Sequence, residues 1–205
     1  KLNWKKEVVA GDYRFHHGDI EKTLARMMED IGMADIGHCV ATDSTPAQVA
    51  AQQRYNNQIC VIEAAKHSFP RAEAVLSVGG EKFFLSRFDG QGHYAGSSMN
   101  TSCAAGTGSF LDQQASRLKM EDIRELSTTA CENEGDCPKI ASRCAVFAKT
   151  DLIHAQQEGY QYGEISDGLC HGLAKNIVDT LFSSNTLPQR VVFCGGVSKN
   201  KAVVD

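Results

Sequence analysis

The chain has 205 residues, a formal net charge of −4, 42% hydrophobic residues and 22% charged residues. This length can bury a core as one large domain or two small lobes, and the composition is ordinary for a soluble globular protein. The net charge offers no footprint for nucleic acid or an anionic membrane, and no apolar run reaches the roughly 20 residues of a membrane span. The N-terminus lacks a signal-peptide pattern. Eight cysteines in this composition favour metal or redox use over a disulfide framework.

The first third of the chain mixes helical and extended patterns. Asp19 suits the N-cap of a helix whose apolar residues run from position 20 to 31. Residues 36–42 predict a short strand that leads into a turn. Helices are then predicted over 47–54 and 59–68, the second ending before Pro70. We expect residues 1–73 to form an N-terminal α/β portion that is incomplete.

From residue 74 onward, predicted strands and helices alternate. Residues 74–78 and 82–85 predict a β-hairpin around a Gly-Gly turn. Helical spacing covers 120–131, 144–157 and 163–182, and residues 190–194 predict a β-branched strand that ends in a second Gly-Gly pair. This alternation favours an α/β architecture.

The most distinctive stretch is Asn-Thr-Ser-Cys-Ala-Ala-Gly-Thr-Gly at residues 100–108. Residues 100–102 are good N-caps, so a helix is expected to begin at or just after Cys103, with unpaired N–H groups in its first turn. Such a helix start stabilises a thiolate, an anionic cluster or a nucleotide phosphate. For this stretch alone, a buried cysteine beside a tight turn is the alternative.

Residues 141–151 repeat the arrangement, with polar caps, Cys144 and a helical run. Together with Cys-Gly-Gly-Val-Ser-Lys-Asn at 194–200, these stretches resemble the activator ATPases of 2-hydroxyacyl-CoA dehydratases and benzoyl-CoA reductases, within the actin, Hsp70 and sugar-kinase superfamily. The resemblance covers roughly residues 75–204. It implies an actin-like (ribonuclease H-like) ATPase lobe over 74–205, with a mixed sheet and flanking helices, truncated at its C-terminal end.

The resemblance also implies a nucleotide site on three glycine-rich turns, for ATP or ADP with Mg²⁺. The expected nucleotide-binding residues are Gly79, Gly80, Gly106, Thr107, Gly108, Gly195 and Gly196. Glu81 would act as the catalytic carboxylate that orients water or metal. An ordinary hairpin turn is the alternative for the first Gly-Gly pair. Gly195→Val is expected to weaken ADP binding without unfolding the chain.

By the same resemblance, Cys103 and Cys144 would be ligands of a [4Fe–4S] cluster. Two cysteines per chain cannot complete a four-thiolate shell, but a homodimer can, with one cluster shared between its two subunits. On spacing alone, two unrelated buried cysteines would be the simpler interpretation. Cys131 and Cys137 are spaced too widely for a usual zinc loop and are expected to be surface thiols.

The whole protein would then be an ATP-dependent activator that passes a low-potential electron to a 2-hydroxyacyl-CoA dehydratase or benzoyl-CoA reductase-type partner, with ferredoxin or flavodoxin as donor. Two departures leave ATP hydrolysis by this piece open. The family's Asp-Ile-Gly-Gly-Gln-Asp reads Ser-Val-Gly-Gly-Glu-Lys at 77–82, and its first phosphate loop is absent. The alternatives are a non-hydrolysing regulatory or structural nucleotide-binding lobe of the same family and a small-metabolite kinase of the superfamily.

Overall fold

A computed structural model describes residues 1–16, 18–32, 36–47, 49–100, 107–142, 144–182 and 187–205. The chain divides into two compact units, Lys1–Cys60 and Val61–Asp205. Within the described ranges, no helix is both long enough and apolar enough to cross a membrane.

The first unit contains one long helix and a small pair of parallel strands. Helix α1, Ile20–Ile31, begins as predicted after Asp19, whose carboxylate accepts a hydrogen bond from the Lys22 N–H at 3.1 Å. Strand β1, Val40–Thr42, pairs with β2, Gln53–Tyr55. None of the residues of α1 is buried.

The helix predicted over 47–54 is wrong, because β2 takes the end of that segment. Arg54 explains why the connection is a loop. Its guanidinium donates to the carbonyl oxygens of Thr45, Pro46 and Val49 at 2.7, 3.1 and 2.7 Å. Carbonyl groups that a helix would use internally are therefore bound by a side chain from the next strand.

The second unit is built on a mixed sheet with the strand order β5-β4-β3-β6. The strands are β3 (Ala74–Val78), β4 (Phe83–Phe88), β5 (Tyr94–Met99) and β6 (Val191–Cys194). β3 is antiparallel to β4 and parallel to β6, and β4 is antiparallel to β5. The predicted hairpin and the last strand are confirmed.

Helices cover both faces of this sheet. They are α2 (Asn57–Ser68), α3 (Gly108–Arg117), α4 (Ile123–Cys131), α5 (Ala145–Glu158), α6 (Tyr162–Leu181) and α7 (Lys201–Val204), with a 3₁₀ turn at Gly196–Lys199. Side chains alternate along β3, as they must in a strand. Leu76 and Val78 join the larger core with α3 and α6, whereas Val75 packs with α2 in a smaller core on the other face.

Candidate functional site

Three glycine-rich turns meet at one edge of the sheet: the first at residues 79–80 after β3, the second at residues 107–108 at the start of α3, and the third at residues 195–196 after β6. β3 and β6 run parallel and end side by side, with Ser77 opposite Cys194, so the turns after them emerge together. Helix α3 begins against the first turn. The Gly108 N–H donates to the Gly79 carbonyl and the Ser109 N–H to the Gly80 carbonyl, both at 2.9 Å. The structure thus joins segments that are far apart in sequence.

Gly195 has no room for a side chain, and Gly108 is tightly packed. A Cβ at Gly195 would lie 2.3 Å from the Val78 carbonyl oxygen, at a φ of +90°. A Cβ at Gly108 would lie 3.1 Å from the Gly79 carbonyl oxygen and 3.3 Å from a methyl group of Val197. The expectation that Gly195→Val leaves the fold intact is therefore wrong, because the backbone of β3 occupies the space that its side chain would need.

Gly196 differs from its neighbour. A Cβ there would meet nothing within 4 Å. The third turn therefore has a packed side at Gly195 and an open side at Gly196, and the open side is where a ligand could be admitted.

The bonds to α3 also determine how the amides of the first turn point. All described peptide bonds are trans, and in a trans peptide the carbonyl and the following N–H point in opposite directions. Since the Gly79 and Gly80 carbonyls face α3, the N–H groups of Gly80 and Glu81 face away from it. Among the described residues, neither N–H has a hydrogen-bond acceptor. Successive outward amides of this kind bind anions.

Helix α3 starts later than predicted. It begins at Gly108, five residues after Cys103. Thr107 is its N-cap, with extended backbone; its buried hydroxyl donates to the Gly80 carbonyl at 2.6 Å instead of capping its own helix. The N–H groups of Gly108 and Ser109 also donate hydrogen bonds. The prediction that the N–H groups at the start of this helix are unpaired is therefore wrong for these two amides. Cys103 and Gly106 lie outside the described residues.

Asn100 binds the hairpin turn instead of capping α3. Its Oδ1 accepts from the Phe83 N–H at 2.9 Å, its Nδ2 donates to the Glu81 carbonyl at 3.3 Å, and its N–H donates to the Phe83 carbonyl at 3.1 Å. Sequence reasoning missed this role because it did not predict β5, which places Asn100 beside the turn.

The polar residues around the first glycine-rich turn differ in their exposure. Glu81 and Lys82 are exposed, whereas Ser77 is half-buried on β3. Burial raises the pKa of the Cys194 thiol, and a hydrogen bond with Ser77 opposes that shift. The Ser77 hydroxyl therefore lies against Cys194. In the part of the chain that the structure describes, no three His, Cys, Asp or Glu side chains are grouped to hold a metal ion.

Cys144 is the N-cap of α5, so the helix begins one residue after its predicted start and the cysteine itself, not a preceding polar residue, takes the capping position. It is half-buried, its backbone is extended, and its side chain makes no capping hydrogen bond. The bonds that join the three turns do not involve it. Cys131 is exposed, as expected, whereas Cys137 is half-buried and not fully on the surface. Burial raises the pKa of Cys170 to about 12, which keeps that core thiol protonated.

Two cavities, of about 730 and 820 Å³, lie along α6. His171 and Lys175 line both of them. Neither cavity is lined by residues of the three turns, so they are separate from the site described above.

The mixed sheet, its helices on both faces and the convergent turns define the class as an actin-like ATPase lobe. The solved activator of 2-hydroxyisocaproyl-CoA dehydratase from Clostridium difficile, with bound ADPNP, matches with a TM-score of 0.79 and 26% identity over 89% of this chain and 68% of that chain. Component A of (R)-2-hydroxyglutaryl-CoA dehydratase from Acidaminococcus fermentans has the same fold, with a TM-score of 0.78 and 24% identity over 89% and 71% of the two chains.

The chain belongs to the BadF/BadG/BcrA/BcrD ATPase family, whose profile matches residues 10–205. The 2-hydroxyisocaproyl-CoA dehydratase activator of Clostridioides difficile is 28% identical over 154 residues, which are 75% of this chain. The activator of lactoyl-CoA dehydratase of Anaerotignum propionicum is 29% identical over 189 residues, 90% of this chain and 71% of the relative. The match to the first relative spans 57% of that relative's length.

Proposed function

We propose that this protein is an ATP-dependent activator that binds ATP or ADP at the three turns and delivers a low-potential electron to an acyl-CoA dehydratase or reductase. The observation that carries the proposal is the convergence of the turns with two N–H groups directed outward. The relatives named as dehydratase activators, one of them solved with ADPNP, support the choice of nucleotide and partner. The location would be cytoplasmic.

Each residue of the site has a distinct proposed role. The N–H groups of Gly80 and Glu81 would bind phosphate oxygens, and the open side of Gly196 would admit the adenosine. Thr107 would hold the turn in place from the side of α3, because its hydroxyl already donates to the Gly80 carbonyl. The exposed Glu81 carboxylate would orient the attacking water or a water molecule on Mg²⁺.

The cysteines fit the proposed cluster in their chemistry. Cys144 lies at a helix N-terminus, where the dipole favours an anionic ligand set, and its thiol is not used for capping. When bound, a [4Fe–4S] cluster would supply the low-potential electron. We propose Cys103 as the second ligand from each chain, so that a homodimer provides four thiolates. Ferredoxin or flavodoxin would be the donor. The division between residues 73 and 74 into an N-terminal portion and an ATPase lobe also stays a proposal.

Gly196→Leu tests the nucleotide site. The added side chain would enter open space, so the protein should fold normally while ADP affinity, measured by calorimetry, falls at least roughly tenfold. Gly90→Leu is the matched control, because a Cβ there also meets nothing within 4 Å but lies outside the three turns. Unchanged ADP affinity in Gly196→Leu would remove this turn from the site.

One observation favours the second candidate, a nucleotide-binding lobe that does not hydrolyse ATP. Ser77 is neutral and its hydroxyl lies against Cys194, at the position where the resemblance places an acid. A carboxylate attracts a hydrated divalent ion far more strongly than a hydroxyl does.

Ser77→Asp separates the two candidates. If the lack of a carboxylate at position 77 weakens Mg²⁺ binding, Ser77→Asp should show stronger Mg²⁺-dependent nucleotide binding and faster phosphate release. Glu81→Gln should slow any hydrolysis already present. ATP hydrolysis by the unsubstituted protein at the rate of Ser77→Asp would rule out the non-hydrolysing candidate.

A further inference from the structure

We propose that Asn100 is a positioning residue that sets the shape of the phosphate-binding turn. The inference deepens the proposed nucleotide function and rests on it. Asn100 makes three hydrogen bonds to residues 81–83: it accepts from the Phe83 N–H, donates from its side chain to the Glu81 carbonyl and donates from its backbone to the Phe83 carbonyl.

These bonds complete the orientation of the turn. Helix α3 binds the carbonyls of Gly79 and Gly80, and Asn100 binds the carbonyl of Glu81, so three successive carbonyl groups are held by the protein. The N–H that follows each carbonyl points the opposite way. Among the described residues, none of the three following amides, those of Gly80, Glu81 and Lys82, has an acceptor. Asn100 therefore adds a third outward N–H to the two that α3 sets.

The backbone bond of Asn100 merely continues the pairing of β4 with β5, but the side-chain bonds go further. They reach the peptide that follows Glu81, the proposed catalytic carboxylate, and the first N–H of β4. A side chain with one acceptor and one donor is needed to make both bonds at once.

Two variants and a control test the positioning role. Asn100→Ala removes both side-chain bonds, whereas the isosteric Asn100→Asp keeps the acceptor but loses the donor. Ser97→Ala is the control, because it alters the contact between Ser97 and Ser86 on the same strand pair, at 3.2 Å, without touching the turn. Amide exchange is measured for Gly79 and Ser109, whose N–H groups bind the turn but not Asn100.

We expect exchange at Gly79 and Ser109 to be about tenfold faster in both Asn100 variants and unchanged in Ser97→Ala, with ADP affinity falling by a similar factor in the Asn100 variants. If Asn100→Ala leaves these exchange rates unchanged, the positioning role is overturned. Because the exchange experiment needs no ligand, it decides this point even if the unsubstituted protein binds no ADP, a result that would contradict the nucleotide proposal separately.

Discussion

At Gly195, a single methyl group would collide with the main chain of a neighbouring strand. The nearest atom is the Val78 carbonyl oxygen, 2.3 Å from the Cβ that any other residue would bring, and the φ of +90° disfavours such a residue in any case. The next residue, Gly196, has open space around it. Two adjacent glycines thus serve different purposes: Gly195 lets two strands end close together, and Gly196 leaves room for a ligand.

Gly195→Ala should lower the free energy of unfolding by about 2–4 kcal/mol, because both the collision and the backbone conformation must be relieved. Gly196→Ala should change it by less than about 0.5 kcal/mol, as expected for an exposed site without special contacts. Urea unfolding of both variants gives the comparison. Equal stabilities would show that the backbone relaxes easily around Gly195.

Single residues were predictable where the chemistry is local. Asp19 lies at a helix N-cap, as its sequence context indicates, and α5 begins within one residue of its predicted start at Cys144. Asn100 was not predictable, because its partners Glu81 and Phe83 are reached only when β5 folds back beside β4. The same holds for Thr107, whose hydroxyl serves another segment and not its own helix.

At the scale of elements, helix α6 carries a close contact that fixes the chain ahead of Cys144. A Cβ at Gly168 would lie 2.4 Å from the Pro138 carbonyl oxygen, and one at Gly172 would lie 2.8 Å from the Ile140 carbonyl oxygen. These two glycines let the segment 138–140 lie directly against the helix. Because Cys144 follows Ile140 by only four residues, we expect this packing to influence the position of the proposed cluster ligand.

Gly168→Ala should push this segment away from α6. We expect a loss of about 1–3 kcal/mol in the free energy of unfolding, typical of overpacking, together with a changed alkylation rate at Cys144. Gly163→Ala is the control on the same helix, since its Cβ would meet its nearest atom at an ordinary 3.5 Å. The idea fails if the two variants give the same stability and the same Cys144 reactivity.

The sequence was most informative for elements that have a clear hydrophobic periodicity or clear turn and capping residues at their ends. α6 and β3 are confirmed to within one residue at each end, whereas β4 extends three residues beyond its predicted end at residue 85. β5, with the sequence Tyr-Ala-Gly-Ser-Ser-Met, lacks alternating apolar residues, and its pairing with β4 defines it. The false helix at 47–54 fails for a different reason: the Arg54 guanidinium binds carbonyl groups five and nine residues earlier, and these contacts decide the conformation instead of helix propensity.

At the scale of the whole molecule, the proposed cluster needs more thiolates than one chain is expected to supply. Cys170 is buried and keeps its proton, and Cys131 is exposed at the end of α4. Cys144, at the start of α5, is the described cysteine that best suits a cluster ligand. With Cys103 as its proposed companion, four ligands require a second copy of the chain.

Anaerobically prepared protein should therefore hold about four irons per two chains, by iron analysis and visible absorption. Cys144→Ala should remove the cluster, because one lost ligand per chain leaves half of the shell. Cys131→Ala is a better control than Cys170→Ala, since replacing an exposed thiol leaves no cavity in the core. A full iron content in Cys144→Ala would refute the ligand assignment.

The hydrogen bonds between α3 and the first turn form when the chain folds. Fixing a residue's backbone costs roughly 1–2 kcal/mol in conformational entropy, and here folding has met that cost before a ligand arrives. The turn at Gly79 and Gly80 is thus preorganised by Thr107, Gly108 and Ser109. A phosphate group that binds there would order little additional chain, so most of its interaction energy would remain available as affinity or as work on the rest of the protein.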